Sequence, residues 1–451
     1  MPRVATADRC RSCSLPAFRA GCCAGHWLTS GKSDASGWYR HRDLDLSGQS
    51  LADVTLERVT FDGETRFDRC EFRGEVRFVN CAFTGYVSFV ESTAERLAFR
   101  DCRFTHIVNL TDTEFDDLSI RRSGFDAAVE LELGPGRADI HLTTFSGLSR
   151  LVGAPRSLDL NRVAFPNGAR LHLAAAQVTM YDVEFGAPSS LVGLPSGARP
   201  RLLAVADTDV SRLFVVATDL SSCSFEGAHN LDGIAIESLD AFAMSPGGPY
   251  ARRRVLSDEC GWRAYMGRGP RRWLGLVGPH GLRQGAESPG RVARDYRALR
   301  KAREDAKDEP GAADFYYGEM EMRRMARREE MRDTARRHAW GECVTAATEH
   351  ALLWLYWAVS GYGLRAWRAL TALVVMLVGA ALLLRYAGFP PQAAHTFAAS
   401  LRFAVQSAMS LLRGTDADLT PIGEWTSLAL RLLGPLLFGL ALLALRGRVR
   451  R

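Results

Sequence analysis

Lysine is almost missing from this chain. Only Lys32, Lys301 and Lys307 stand among 57 basic residues, and every other base is arginine. Catalytic signatures are missing as well. Gly31-Lys32-Ser33 ends like a phosphate-binding loop, but position 26, where the first glycine belongs, is His26. No Gly-x-Gly-x-x-Gly, His-Glu-x-x-His or Gly-x-Ser-x-Gly pattern occurs. An enzyme built on this chain would need a site scattered over distant residues, and none is nominated, so no enzymatic activity is expected. There is also no apolar opening: Met1 to Asp8 run directly into Arg9 and Cys10. The expectation is an N-terminus that stays in the cytoplasm. Thiols remain reduced there, so the ten cysteines are not expected to build a disulfide framework.

What charge there is changes sign along the chain. Residues 41–238 carry 19 Lys/Arg against 29 Asp/Glu, whereas residues 252–338 carry 22 against 14. A switch of that size marks a domain boundary near residue 250.

The strongest positive signal is a repeat. From Leu44 to Ile236 a large apolar residue returns about every five positions. Phe61, Phe67, Phe72, Phe78, Phe83 and Phe89 alternate steps of six and five. Phe125, Phe145, Phe165, Phe185, Val205 and Phe225 follow at intervals of 20, and Phe61, Phe83 and Phe104 precede them at 22 and 21. Four pentapeptides per 20 residues make one square coil, and coils stack by strand-like hydrogen bonds roughly 4.8 Å apart. The central residue of each pentapeptide points inward. The residue two before it also points inward and must be small, as at Val59, Cys70, Val76, Cys81, Val87, Cys102, Thr113, Ser123, Thr143, Val163, Val183 and Cys223. The four cysteines in that series therefore read as interior fillers. Phe72, Phe83, Phe104, Phe125, Phe145, Phe165, Phe185 and Phe225 are the expected solenoid core. The register weakens at Gly134-Pro135-Gly136 and Leu194–Pro200, where loops are expected to bulge out.

Segments such as Cys70-Glu71-Phe72-Arg73-Gly74 and Cys81-Ala82-Phe83-Thr84-Gly85 resemble the pentapeptide-repeat family. That resemblance implies a mainly β fold, a right-handed quadrilateral β-helix of about nine to ten coils.

Before the repeats, Cys10, Cys13, Cys23 and His26 have metal-ligand spacing, with Cys22 as a spare thiol. Three thiolates and one imidazole in a closed tetrahedron suit one structural zinc. After the repeats comes a basic linker. Residues 291–307 read as a helix with Val292, Tyr296 and Leu299 on a thin apolar face, and Glu309-Pro310-Gly311 is expected to break it. A second helix is expected over residues 312–338, its apolar side including Phe315, Met322 and Met325. The run Phe315-Tyr316-Tyr317-Gly318-Glu319-Met320-Glu321 is similar to a segment that precedes the membrane helices of some bacterial pentapeptide-repeat proteins. The linker either lies on anionic lipid or is a solvated spacer whose charges pair along its own faces.

Two apolar stretches near the end, extended by their flanks, predict membrane spans at about 366–387 and 427–446, with Trp367 and Tyr386 as interfacial anchors. Arginines before the first (Arg365, Arg368) and after the second (Arg446, Arg448, Arg450, Arg451) favour both chain ends inside. Between the spans, residues 396–412 are apolar enough for a re-entrant helix, and residues 353–363 read as an interfacial helix and turn. The order of span, re-entrant helix, loop and span resembles two-helix potassium channels. A filter loop would then fall at Gly414, Thr415 and Asp416, but no Thr-Val-Gly-Tyr-Gly run stands there, so the channel-like domain is degenerate.

The organisation expected is a zinc-binding segment at 1–40, a β-helix at 41–240, a helical linker at 241–345 and a membrane domain at 346–451. The function expected is a scaffold or sensor anchored in the inner (plasma) membrane, binding lipid and a cytoplasmic protein, with a homo-oligomer open and no nucleic acid. The alternatives are a DNA-mimicking rod acting on a topoisomerase, as the resemblance to gyrase-protecting repeat proteins implies, and an unrecognised membrane-associated enzyme.

Overall fold

The computed structural model describes residues 27–28, 37–52, 54–246, 252–266, 273, 276–277, 288–390, 396–410 and 419–449. The chain divides into two units, residues 1–288 with 295–307 and residues 289–294 with 308–451.

The first unit is a parallel β-solenoid of about nine coils. It runs from the strand Tyr39–Asp45, paired with Val59–Arg66, to Leu213–Val216, paired with Ala235–Ile236. Aromatic residues made this register. Phe61, Phe83, Phe104 and Phe125 pair in sequence, as do Phe125 with Phe145 and Phe165 with Phe185. Their rings lie flat on one another with centroids 4.6, 4.6, 4.5, 4.7, 5.2 and 5.8 Å apart from Phe61 up to Phe185. Each such pair adds about 0.5–1.5 kcal/mol beyond the area it buries.

The small interior positions have a polar task besides fitting. Thiols of Cys70 and Cys102 reach the carbonyls of Leu46 (3.1 Å) and Phe78 (3.3 Å), and hydroxyls of Ser123 and Thr143 donate to Arg121 and His141 carbonyls at 3.0 Å. The Arg121 and His141 carbonyls already accept the Asp101 and Arg122 amides of neighbouring coils, so these side chains fill a second acceptor position at each corner. Burial pushes the Cys70 thiol up to about 12, so these sulfurs are fillers rather than nucleophiles.

One corner of successive coils holds a left-handed residue: Asn80, Asp101, Arg122, Leu142, Arg162 and Asp182. Asn and Asp tolerate this conformation, whereas leucine gains nothing to offset it. Leu142 is also exposed, so its side chain contributes little burial. Leu142→Asn is expected to stabilise the solenoid by about 1 kcal/mol, seen as a higher midpoint in denaturant.

The two places of weak register behave differently. Gly134-Pro135-Gly136 does not bulge; Leu133 pairs with Gly153 and Arg137 with Ser157, the same offset to the next coil on both sides. The corner is instead tight, because a Cβ on Gly134 would stand 1.6 Å from the Phe115 carbonyl oxygen. At Leu194–Pro200 there is a loop outside the strands, and it shifts the column. Val205 pairs with Met180, not with Phe185. The Val183 amide donates to Thr208 Oγ1, which by register places buried Val210 in the column of Phe185. Ala204 bridges Ser224, so Phe225 follows Val205 in the neighbouring column. An insertion of one pentapeptide keeps the inward pattern while rotating the chain by one side of the square.

The solenoid ends in a cap. Helix α1 (Ser257–Tyr265) brings Asp258 to the last coils, where it accepts from Ser224 Oγ (2.8 Å) and the Phe225 amide (3.1 Å). It supplies acceptors that a further coil would have supplied. Helix α2 (Pro289–Asp305) buries Val292, Tyr296 and Leu299. Its Arg303 donates to the carbonyls of Ile236 and Ser238.

The second unit is helical. Helix α3 (Glu309–Arg336) starts on Asp308, whose carboxylate caps the Gly311 amide at 3.0 Å. Glu309-Pro310-Gly311 therefore begins this helix; the break lies at left-handed Lys307, because proline suits a first helical turn. Phe315, Met322 and Met325 are buried. Helices α4 (Trp340–Ser360), α5 (Ala366–Leu383, with a π turn Leu384–Gly388), α6 (Phe397–Met409) and α7 (Pro421–Val449) follow.

Candidate interaction surface and membrane helices

One face of the solenoid is a trough. Its middle row is Ala98, Ser119, Asp139, Asp159, Thr179 and Ala204, small or short residues brought into line by the strand register. Longer side chains such as Arg96, Arg100, Arg121, His141 and Tyr181 stand on its flanks, and hollows of about 510 and 630 Å³ run along it. The exterior charges are largely matched between coils. Arg122 meets Asp101 at 2.7 Å, Arg103 meets Asp126 at 3.1 Å and Arg150 meets Glu130 at 3.1 Å. Exposed pairs of this kind add little stability. They do break the acidic surface into alternating signs, which suits selective protein contacts better than duplex mimicry.

At the cap, Glu259 is enclosed with two guanidinium groups. Arg253 donates to both carboxylate oxygens at 2.6 Å, Arg263 Nε to Oε1 at 2.6 Å, and the Tyr296 hydroxyl to Oε2 at 2.6 Å. Burial raises the Glu259 pKa, but the charges of Arg253 and Arg263 outweigh it and hold the carboxyl at about 2. This cluster ties α2 to α1, and its chemistry is structural. No sequence pattern announced it, because its members lie up to 43 residues apart.

In the second unit, the Phe315–Glu321 run meets the turn after α4. The Tyr317 hydroxyl accepts from Trp357 Nε1 at 3.1 Å, and the Tyr362 hydroxyl donates to Glu321 at 3.3 Å. Arg324 and Arg368 sit over the Trp357 ring at 4.5 and 4.8 Å, and Arg365 over Tyr317 at 4.7 Å. Gly361, Tyr362 and Gly363 all have positive φ. Tyr362 is nonetheless buried, held by Tyr317 and Tyr356 ring edges.

Two segments, Ala366–Gly388 and Pro421–Leu442, are long and apolar enough to cross a membrane, with mean hydropathies of 2.1 and 1.5. They pack through alanines and leucines: Ala380 and Ala381 of α5, Ala404 of α6 and Leu430 of α7 share one core with Leu384. A Cβ on Gly434 would fall 2.8 Å from that of Ala408. Small contacts of this sort let helices approach where water supplies no drive. Thr420 Oγ1 donates to the Ala387 carbonyl at 2.6 Å, at the π turn that ends the first segment. The helix Phe397–Met409 falls inside the stretch expected to be re-entrant.

Phe72, Phe83, Phe104, Phe125, Phe145, Phe165, Phe185 and Phe225 are all buried. Cys10, Cys13, Cys23 and His26 lie outside the described residues, and so do Gly414, Thr415 and Asp416. Among the described residues no group of three or more His, Cys, Asp or Glu could hold a metal ion.

Residues 50–93 match the family model for pentapeptide repeats. No curated protein and no solved structure matches the chain. The chain thus carries pentapeptide repeats in a parallel β-solenoid, a fold that is typically structural or interactive, followed by helices of which two are candidate membrane spans.

Proposed function

We propose that this protein is a membrane-anchored scaffold or sensor whose solenoid trough receives a cytoplasmic protein. The observation that carries the reading is the apolar exterior of the two long helices. Only 17% and 33% of their most apolar windows are buried, so most of that surface faces outward. In water such a surface would aggregate; in lipid it needs no partner. Arginines flanking the pair support both chain ends on the cytoplasmic side of the plasma membrane. After alkaline carbonate washing the full chain is expected to remain with membranes and to leave them only in detergent. A C-terminal reporter active only outside the cytoplasm is expected to stay silent. Release by carbonate would end the anchoring, and an active reporter would end the two-span topology.

The short helix between two spans supports a channel-derived membrane domain that has lost its filter. A tetramer in detergent would favour that origin, and a monomer would remove it. For the N-terminal segment, one structural zinc on Cys10, Cys13, Cys23 and His26 is the proposal. Metal analysis of the purified full chain is expected to find about one zinc per chain, lost in the Cys10→Ser/Cys13→Ser variant. A zinc-free wild type would dispose of it.

A further inference from the structure

Helix α4 has one face for protein and another that none of the described residues of the unit covers. Its polar contacts all point one way. Glu349 pairs with Arg327 of α3 at 2.6 Å, His350 Nδ1 lies 3.1 Å from the Arg324 carbonyl, and Trp357 reaches Tyr317. The opposite face runs through Trp340, Val344, Thr348, Ala351, Leu352 and Leu355 at helical spacing, without one charged residue. Val344 is 62% exposed, Leu352 67% and Leu355 53%. The threonines near this stripe do not call for water either. Thr345 donates to the Gly341 carbonyl at 3.1 Å and Thr348 to the Thr345 carbonyl at 2.8 Å, inside their own helix.

We propose that α4 is an interfacial helix, lying along the bilayer surface with its Val344–Thr348–Leu352–Leu355 face seated at the boundary of headgroups and acyl chains. The proposal rests on the membrane anchoring argued above and extends it to a third helix. The occupant follows from continuity. The turn Gly361-Tyr362-Gly363 leads within six residues of Ser360 to Ala366, where the first candidate span begins with exposed Trp367, Leu370 and Val374. Along the chain, exposed apolar residues therefore resume on α5 after one turn. Exposed Trp340 and Trp354 on α4 and Trp367 on α5 are of the residue type that settles at headgroup level. The stripe also suits lipid better than a protein partner, since it offers no charge and its threonine hydroxyls are already bonded within the helix. A helix of 21 residues is about 30 Å long, and at this composition it lies on a membrane rather than crossing it.

The test is spin-label accessibility in the full chain, reconstituted in nanodiscs of mixed zwitterionic and anionic phospholipid. Nitroxides are attached through Leu352→Cys and Leu355→Cys, with Arg336→Cys as the aqueous reference and Val375→Cys as the reference within the span. All are made in a background in which Cys10, Cys13, Cys22, Cys23 and Cys343 are serine. At positions 352 and 355 the ratio of oxygen to nickel-chelate collisions is expected to exceed that at 336 several-fold and to fall below that at 375. A ratio equal to that at 336 would place α4 in water and overturn the proposal. Low collision with both reagents would mean a protein covers the stripe, which also overturns it. If position 375 itself reads as aqueous, the anchoring fails first, and the two failures are thereby told apart.

Discussion

Phe145→Asp is expected to unfold the middle of the solenoid. Phe145 is fully buried, with Phe125 stacked 4.7 Å to one side and Phe165 5.2 Å to the other. Truncating the ring alone would cost about 3–5 kcal/mol. A carboxylate in its place would also need a partner, and the neighbours are aromatic rings above and below. Burying it costs several kcal/mol more, or forces it to protonate. The loss propagates because each coil is stabilised mainly by the coils next to it. Arg170→Ala is the control: Arg170 is exposed, so its loss should fall within about 0.5 kcal/mol of wild type. Thermal unfolding followed by far-ultraviolet circular dichroism compares the two. Equal midpoints would mean that the inward register is misassigned.

Glu259→Gln should produce the second large effect, at the cap. Removing one partner from a buried ion pair typically costs about 3–5 kcal/mol, because the remaining charge stays buried and uncompensated. Here Arg253, with only 6% of its side chain exposed, would be left facing Arg263 and an amide. Replacing Arg253 and Glu259 together with methionine should recover much of the loss. The pH dependence has a definite sign. The folded carboxyl titrates at about 2, against an ordinary 4.5, so its contribution is complete above pH 4.5 and is lost as pH falls toward 2. The contribution is roughly 3 kcal/mol. Wild type should therefore lose its advantage over Glu259→Gln between pH 4.5 and 2. A constant difference across that window would show that the carboxylate is not held by its two arginines.

The solenoid was legible because its period is a physical requirement. A phenylalanine must recur wherever the coil returns to the same inner wall, and a small residue must precede it at each corner. The helices α2 and α3 could be placed from apolar spacing and one proline, though the sense of that proline was mistaken. A Glu-Pro-Gly run ends a helix or begins one, depending on whether the residue before it caps. Asp308 does so, and only its side-chain geometry revealed this.

Spacing by 20 could not tell Val205 in the column of Phe185 from Val205 in the next column. An insertion of one whole pentapeptide leaves the inward pattern intact while rotating the coil, and only strand pairing distinguishes the two. The Arg253–Glu259–Arg263–Tyr296 cluster and the trough left no trace that local pattern could expose, and for α4 the sequence suggested an interfacial segment at 353–363 without showing which side of the helix is covered. Each consists of residues far apart in the chain, or of ordinary residues whose meaning depends on which side is covered. The repeat, the charge switch and the apolar segments could be read without a structure, because they are properties of order along the chain. The tertiary structure decided register, capping and exposure, because these depend on which distant residues share a surface.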